Sequence, residues 1–360
     1  MISIGRCAAS ASALAVLPLA VGPSRSRAGG NVGVGMGAIL PARRYAGHVD
    51  SGRLAVHETE SISAMTKGFS ALKRTVMWLL CCVGLSGAAT AAPTLWEVRD
   101  AEGGVRAYLF GAIHLCHAAC YPLPAAVEAA FASAERTVFE LDVSDPSLAR
   151  TLVKAGRLPV GQTLKTLMPA DLYAQVHDAS KAVGVPVSQV QTMQPWFAST
   201  LLMALAADQA GFSTEAGVDG VLQSRARAVG KPVLALETPA RQIEALSAGG
   251  ERAQQAALRQ TVDMIARGEM GDYLTRMVGA WQSGDDAALQ AIMFEGADRE
   301  AVAPLFASLI DARNAEMTDQ LEALMAQPGV LFVSVGGGHL VGEQGVPAAL
   351  AARGWQVIRR

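Results

Sequence analysis

The chain has 360 residues, 51% apolar and 17% charged, with a formal net charge of -2 and no basic stripe interleaved with aromatics beyond residue 91. That balance excludes nucleic acid as a natural partner. Its one long apolar run is too short to cross a bilayer comfortably.

Residues 1–64, rich in Gly, Ala, Ser and Arg, hold no sustained helical or strand period. They read either as a misassigned start or as a disordered or targeting extension, in which residues 11–21 form a weak second export signal. From Met65 onward, Lys67, Lys73 and Arg74 precede an apolar run over 75–85 and a small-residue end at Ala89-Thr90-Ala91. This is the order of a secretory signal peptide over 65–91. Leu80 stands before Cys81 where a lipoprotein signal would carry a small residue. Cleavage after Ala91 would release roughly 270 residues into the periplasm or the medium, enough for one large domain with a substantial core.

In the mature chain, residues 95–98 and 105–112 predict a hairpin, followed by a helix over 125–134 that Pro124 opens. A strand over 137–139 ends in Glu140, and this strand-helix-strand order predicts parallel strands. From about 146 to 227 the pattern turns helical, with clear segments at 170–183, 196–210 and 218–228, a helical insertion or cap that shapes substrate access. Residues 232–236 return to strand character and end in Glu237, with Thr238 placed to cap the next helix. Helices follow at 252–267, 270–282 and 286–294, then one long amphipathic helix over 304–325 that carries Arg313 and Asn314. A strand over 330–335, a helix over 345–353 and a strand over 355–358 close the chain. The expected fold is a single α/β domain over 92–360: a central, mostly parallel or mixed sheet with flanking helices and a helical cap.

Two corners share one composition, Gly111-Ala112-Ile113-His114 and Gly336-Gly337-Gly338-His339, each after an apolar strand. Glycine allows a sharp turn there, and the carboxyl ends of strands are where open α/β sheets bind ligands. With Glu140, two imidazoles and a carboxylate can converge on one crevice, a set able to hold a metal. A single histidine at a strand end is more often structural; the pairing is what points to a site. Cys116 and Cys120 allow a short disulfide or a free or ligating pair, with His117 between them as a surface residue or an extra ligand. No Gly-x-Ser-x-Gly elbow follows the signal, and the glycine corner lacks the Lys-Ser/Thr ending of a phosphate loop.

The block from Tyr108 through Gly111 and His114, then Tyr121-Pro122-Leu123-Pro124 and Val138 to Asp142, resembles the start of the TraB/GumN family. Arg313-Asn314, the corner through Gly342, and Gly354 to Val357 resemble its C-terminal signature. The resemblance spans the mature chain and implies kinship with the Tiki metalloproteases and, more distantly, with erythromycin esterase and the haem-binding ChaN proteins. Ala112 stands where threonine is usual, and the Cys116–Cys120 loop is not a general family feature.

Carried over residue by residue, the resemblance implies a divalent transition metal on His114, Glu140 and His339, manganese or cobalt first, with zinc or iron open. Glu140, Glu237, Arg313 and Asn314 are the expected catalytic set. Glu140 and Glu237 would divide the roles of ligand and base, Arg313 would hold a carboxylate or oxyanion, and Asn314 would orient a ligand. Glu237 and Arg313 could instead pair with each other behind the site. The expected activity is hydrolysis of a peptide, or of a small amide or ester; the alternative is a non-catalytic binding protein for haem, metal or a peptide signal on the same scaffold.

Overall fold

The computed structural model describes residues 94–360. The N-terminal extension and the export signal expected over 65–91 lie outside these residues. A six-stranded mixed sheet runs through the described chain in the order β4-β3-β5-β2-β1-β6. Its strands are β1 (Leu95–Arg99), β2 (Val105–Ala112), β3 (Arg136–Phe139), β4 (Val233–Ala235), β5 (Leu331–Gly336) and β6 (Gln356–Arg359). β1 and β2 form the expected hairpin, tied at its turn where Asp100 accepts the Gly104 N–H at 2.7 Å. β6 adds antiparallel to β1 on the outer edge, whereas β2, β5, β3 and β4 are all parallel.

The arrival of β5 decides the function of the sheet. Helix α1 (Ala125–Ser133) carries the chain from β2 to β3, but leaves a gap that β5 fills from far along the sequence. Every residue of β5 is buried, as expected for the central strand of a parallel sheet covered on both faces. Phe110, Phe139 and Phe332 face one layer, where they meet Phe131 and Trp281; Leu109, Val138, Leu331 and Val333 face the other, against Met317, Leu321 and Met325.

The expected insertion contains α2 (Leu148–Ala155), α3 (Leu164–Leu167), α4 (Ala170–Ala182), α5 (Val187–Val190), α6 (Pro195–Gln209) and α7 (Val218–Ala228). After β4 come α8 (Pro239–Leu246), capped by the Thr238 hydroxyl, then α9 (Gly250–Arg267), α10 (Met270–Ser283) and α11 (Asp286–Met293). The helix expected over 304–325 differs from expectation. It starts earlier, as α12 (Arg299–Phe306) under an Asp298 cap, passes through a π turn at Ala307–Asp311, and continues as α13 (Ala312–Met325). Pro304 already removes one N–H from the ladder, and the wide turn after it absorbs an extra residue. Helix α14 (Val346–Ala352) leads into β6. Cys116 and Cys120 are joined in a disulfide. Among the described residues no helix is long and apolar enough to cross a membrane.

Candidate active site

The parallel register of β2 and β5 pairs Ala112 with Gly336, so the two glycine-histidine corners leave the sheet side by side. At Gly111 a Cβ would lie 2.3 Å from Thr94 Oγ1 and 3.1 Å from the Gly337 Cα, so a side chain there would force the corners apart. At Gly336 a Cβ would meet His114 Nε2 at 3.0 Å and Glu140 Oε1 at 3.2 Å. The space a side chain would fill is therefore the space in which these two groups approach each other.

Each imidazole turns its Nδ1 toward a polar side chain. Asn314 donates from Nδ2 to the Gln344 carbonyl at 2.7 Å, which turns its Oδ1 toward His339 Nδ1, also at 2.7 Å. An acceptor at that position places the proton on Nδ1 and leaves the Nε2 lone pair free. His114 Nδ1 lies 3.2 Å from Asp219 Oδ2, off the hydrogen-bonding direction. Asp219 is brought there because the Val218 N–H, at the start of α7, donates to the Ile113 carbonyl at 2.9 Å. Among the described residues neither Nε2 has a hydrogen-bond partner.

Glu140 continues β3 past its last paired residue, and the Glu237 N–H donates to the Glu140 carbonyl at 2.9 Å, so the two acids are neighbours. Arg313 joins them. Its Nε and Nη2 meet the Glu237 carboxylate at 2.7 and 2.8 Å, its Nη2 also meets Glu140 Oε2, and its Nη1 donates to the Leu309 carbonyl at 2.9 Å within the π turn. Four of the five guanidinium N–H donors are thus committed to protein acceptors. The other Glu140 oxygen accepts the Gly336 N–H at 2.6 Å and lies 3.8 Å from His339 Nε2.

Burial would push the Glu140 carboxyl up, but the Arg313 charge, both histidines and the Gly336 N–H bring it down to about 2. Glu237 moves the other way: burial raises it, the nearby Glu140 charge adds, and Arg313 offsets only part. Burial, with Arg313 and His114 adding, holds His339 down at about 3 against the pull of Glu140, so it is a neutral imidazole. Burial also depresses His114, but the Asp219 and Glu140 charges outweigh it and raise the ring above its ordinary value.

A cavity of about 250 Å³ opens onto this cluster. His114, Arg313, Gly336 to Gly338 and His339 form one wall, while Glu140, Glu237, Asn314 and Asp219 stand behind it. From the expected insertion, only Ser199, Thr200 and Met203 on α6 reach the cavity; most of the opposite wall comes from α9 to α12, outside it. His117 is not in the cavity lining and meets Phe212 edge to face, with ring centroids 4.8 Å apart.

The donor chemistry fits a borderline divalent transition metal: two Nε2 lone pairs, one of them fixed by a hydrogen bond at Nδ1, and one carboxylate oxygen close behind. Donors on a shared ion with bonds of about 2 Å sit roughly 3 to 3.5 Å apart, near the observed 3.8 Å between His339 and Glu140. Among the described residues, however, no three His, Cys, Asp or Glu side chains are already gathered as a metal-binding group.

Asp219 is absent from the sequence expectation, because it lies about a hundred residues from His114. A signal was present: Asp219 falls on the same helical stripe as the buried Leu222, Gln223 and Ala226, where an acid is out of place.

A family model described as TraB/PrgY/gumN matches residues 94–359. The chain is 25% identical to "Uncharacterized protein YbaP" of Escherichia coli (strain K12) over 243 residues, covering 68% of this chain and 87% of that protein. The Shigella flexneri protein of the same name is 25% identical over 248 residues, covering 69% and 89%. "Metalloprotease TIKI2" of Danio rerio is 35% identical over 83 residues, covering 23% of this chain and 16% of that protein. No solved structure matches.

Proposed function

The chain belongs to the TraB/PrgY/gumN family, and from that premise we propose that it is an exported, metal-dependent hydrolase of peptide or amide bonds. The observation that carries this reading is the pair of imidazoles at one cavity wall, each with Nδ1 facing a polar side chain and Nε2 left without a protein partner. The metalloprotease name of the zebrafish relative supports the same class. The signal-like segment over 65–91 and the disulfide support export.

In this reading His114, His339 and Glu140 hold the ion. When bound, it lowers the pKa of a water and polarises a carbonyl. Asn314 keeps His339 in the tautomer that offers Nε2, and Asp219 does the equivalent through charge at His114. Glu140, held ionised near 2, is suited to neutralise charge as a third donor rather than to act as a base. Arg313 and Asn314 position the other groups; Arg313 has one Nη1 hydrogen left for substrate.

A second reading has a specific observation behind it. Both oxygens of Glu237 are engaged by Arg313, and among the described residues no acid stands on the cavity wall, which favours a non-catalytic binding protein for a metal or a peptide. Haem does not suit the cavity, since sites for drug-sized ligands already occupy about 300–1,000 Å³.

The test is metal content by mass spectrometry on protein beginning at Ala92, purified without chelator or affinity histidines, beside a His114→Ala/His339→Ala variant. Stoichiometric manganese, cobalt, iron or zinc is expected, lost in the variant together with cleavage of a quenched peptide library. Metal without cleavage would favour the second reading. No metal in either protein after reconstitution would overturn the metal site.

A further inference from the structure

The wall facing the imidazoles has a chemistry that the metal-site reading leaves unused. Four helices, α6, α9, α10 and α11, each contribute one methionine, Met203, Met264, Met277 and Met293. Around them the surface is mostly apolar, with the Tyr273 ring among the lining groups, and most of the polar side chains present are already engaged. Ser199 and Thr261 hydroxyls bond to each other at 2.8 Å, the Thr200 hydroxyl donates to the Trp196 carbonyl at 2.6 Å, and Trp281 Nε1 donates to the Gly111 carbonyl at 2.6 Å. Gln260 Nε2 is likewise spent on the Glu295 carbonyl at 2.6 Å. The charged group on the walls is Arg313, at the imidazole end.

We propose that this cavity is a specificity pocket that receives one long apolar side chain, of methionine or leucine type, adjacent to the peptide bond presented to His114 and His339. The inference rests on the hydrolase reading above and names its substrate class. Size supports it: an apolar cavity of about 150 Å³ already holds benzene, so about 250 Å³ takes a single large side chain and little more. Lining chemistry supports it too. Methionine is flexible and polarizable, so four of them make a wall that adapts to a linear or γ-branched chain without demanding one shape. Among the described residues the lining holds no acid, so a cationic side chain would enter without an opposite charge, at high desolvation cost.

The experiment measures equilibrium binding of N-acetyl amino-acid methylamides to the full-length chain by calorimetry, with alanine, norvaline, norleucine, methionine and lysine as the side chains. In parallel, quenched peptides varied at one position are tested for cleavage. Each methylene buried adds about 0.8 kcal/mol, or roughly fourfold; norleucine is therefore expected to bind about fiftyfold tighter than alanine, methionine similarly, and lysine no better than alanine. Met277→Trp, which fills the pocket, is expected to remove the gain. Should that variant fail to fold, the series on the natural protein decides alone. A flat series overturns the pocket whether or not any peptide is cut. A rising series without cleavage upholds the pocket and defeats the hydrolase reading, while cleavage indifferent to the side chain defeats the pocket and leaves the hydrolase standing.

Discussion

Arg313 is a guanidinium almost wholly removed from water, set between two carboxylates that are equally buried. Replacing it by methionine conserves much of the volume but leaves Glu140 and Glu237 unpaired, a situation that costs about 3–5 kcal/mol at neutral pH. The sign of the Glu140 contribution to the pH response should reverse with it, while Glu237, already raised in the natural protein, keeps its sign. In the natural protein, the low carboxyl of Glu140 contributes stability above its ordinary value, lost as pH falls toward about 2. In Arg313→Met both carboxyls rise above their ordinary value near 4.3, so the native state binds more protons than the unfolded one. Stability should then increase as pH is lowered from 7 toward 5. Urea titrations at several pH values read this directly, and a variant losing stability in parallel with the natural protein would show that the acids are not coupled to Arg313. At this scale His114, His339 and Glu140 were legible because each ends an apolar strand beside a glycine or a turn. Asp219 was not, since its relation to His114 arises from α7 docking on the first corner, a tertiary contact with no local pattern near the histidine.

The π turn at Ala307–Asp311 is the element on which the placement of Arg313 depends. A π turn accommodates one more residue than the α-helix it interrupts, so deleting Ser308 should restore a regular helix and rotate α13 by about 100° relative to α12. Residues of α13 that pack on the sheet, Met317, Leu321 and Met325, resist that rotation because they are buried against β5. The conflict would either drag α12 off its cluster or turn Arg313 away from its acids. The expected result is a loss of about 3–5 kcal/mol, comparable to Arg313→Met, whereas Ser308→Ala, on the same turn but of normal length, should be nearly silent in the same denaturation assay. The sequence period over 304–325 suggested one helix because apolar spacing does not distinguish a continuous helix from two in slightly different phase. The strands were easier to place, since runs such as Leu331 to Val335 are apolar without interruption, and only a buried parallel strand of that length fits them.

The described region as a whole is organised around β5. Its residues alternate between the two layers, Phe332 toward the aromatic side and Leu331 and Val333 toward α13, so neither layer can separate without exposing the central strand. The helical insertion, although long enough to suggest a second unit, packs its α6 onto the layer that contains Phe332 and Phe110, beside α10 from outside the insertion. Unfolding of the described region is therefore expected to be one cooperative event, with tryptophan fluorescence and far-ultraviolet circular dichroism giving coincident denaturant transitions. Phe332→Ala tests the linkage most sharply. The ring has its centroid 6.0 Å from that of Phe110 and 5.3 Å from that of Phe131, and it is inaccessible to water. Its truncation should cost about 3–5 kcal/mol, lowering the melting temperature by about 2–4 °C for each kcal/mol in a chain of this size. Both probes should move together by the same amount. Two transitions, with the helical signal persisting after the sheet has melted, would instead make the insertion an independent unit and would place the α6 part of the pocket wall and the imidazoles on separately folding parts.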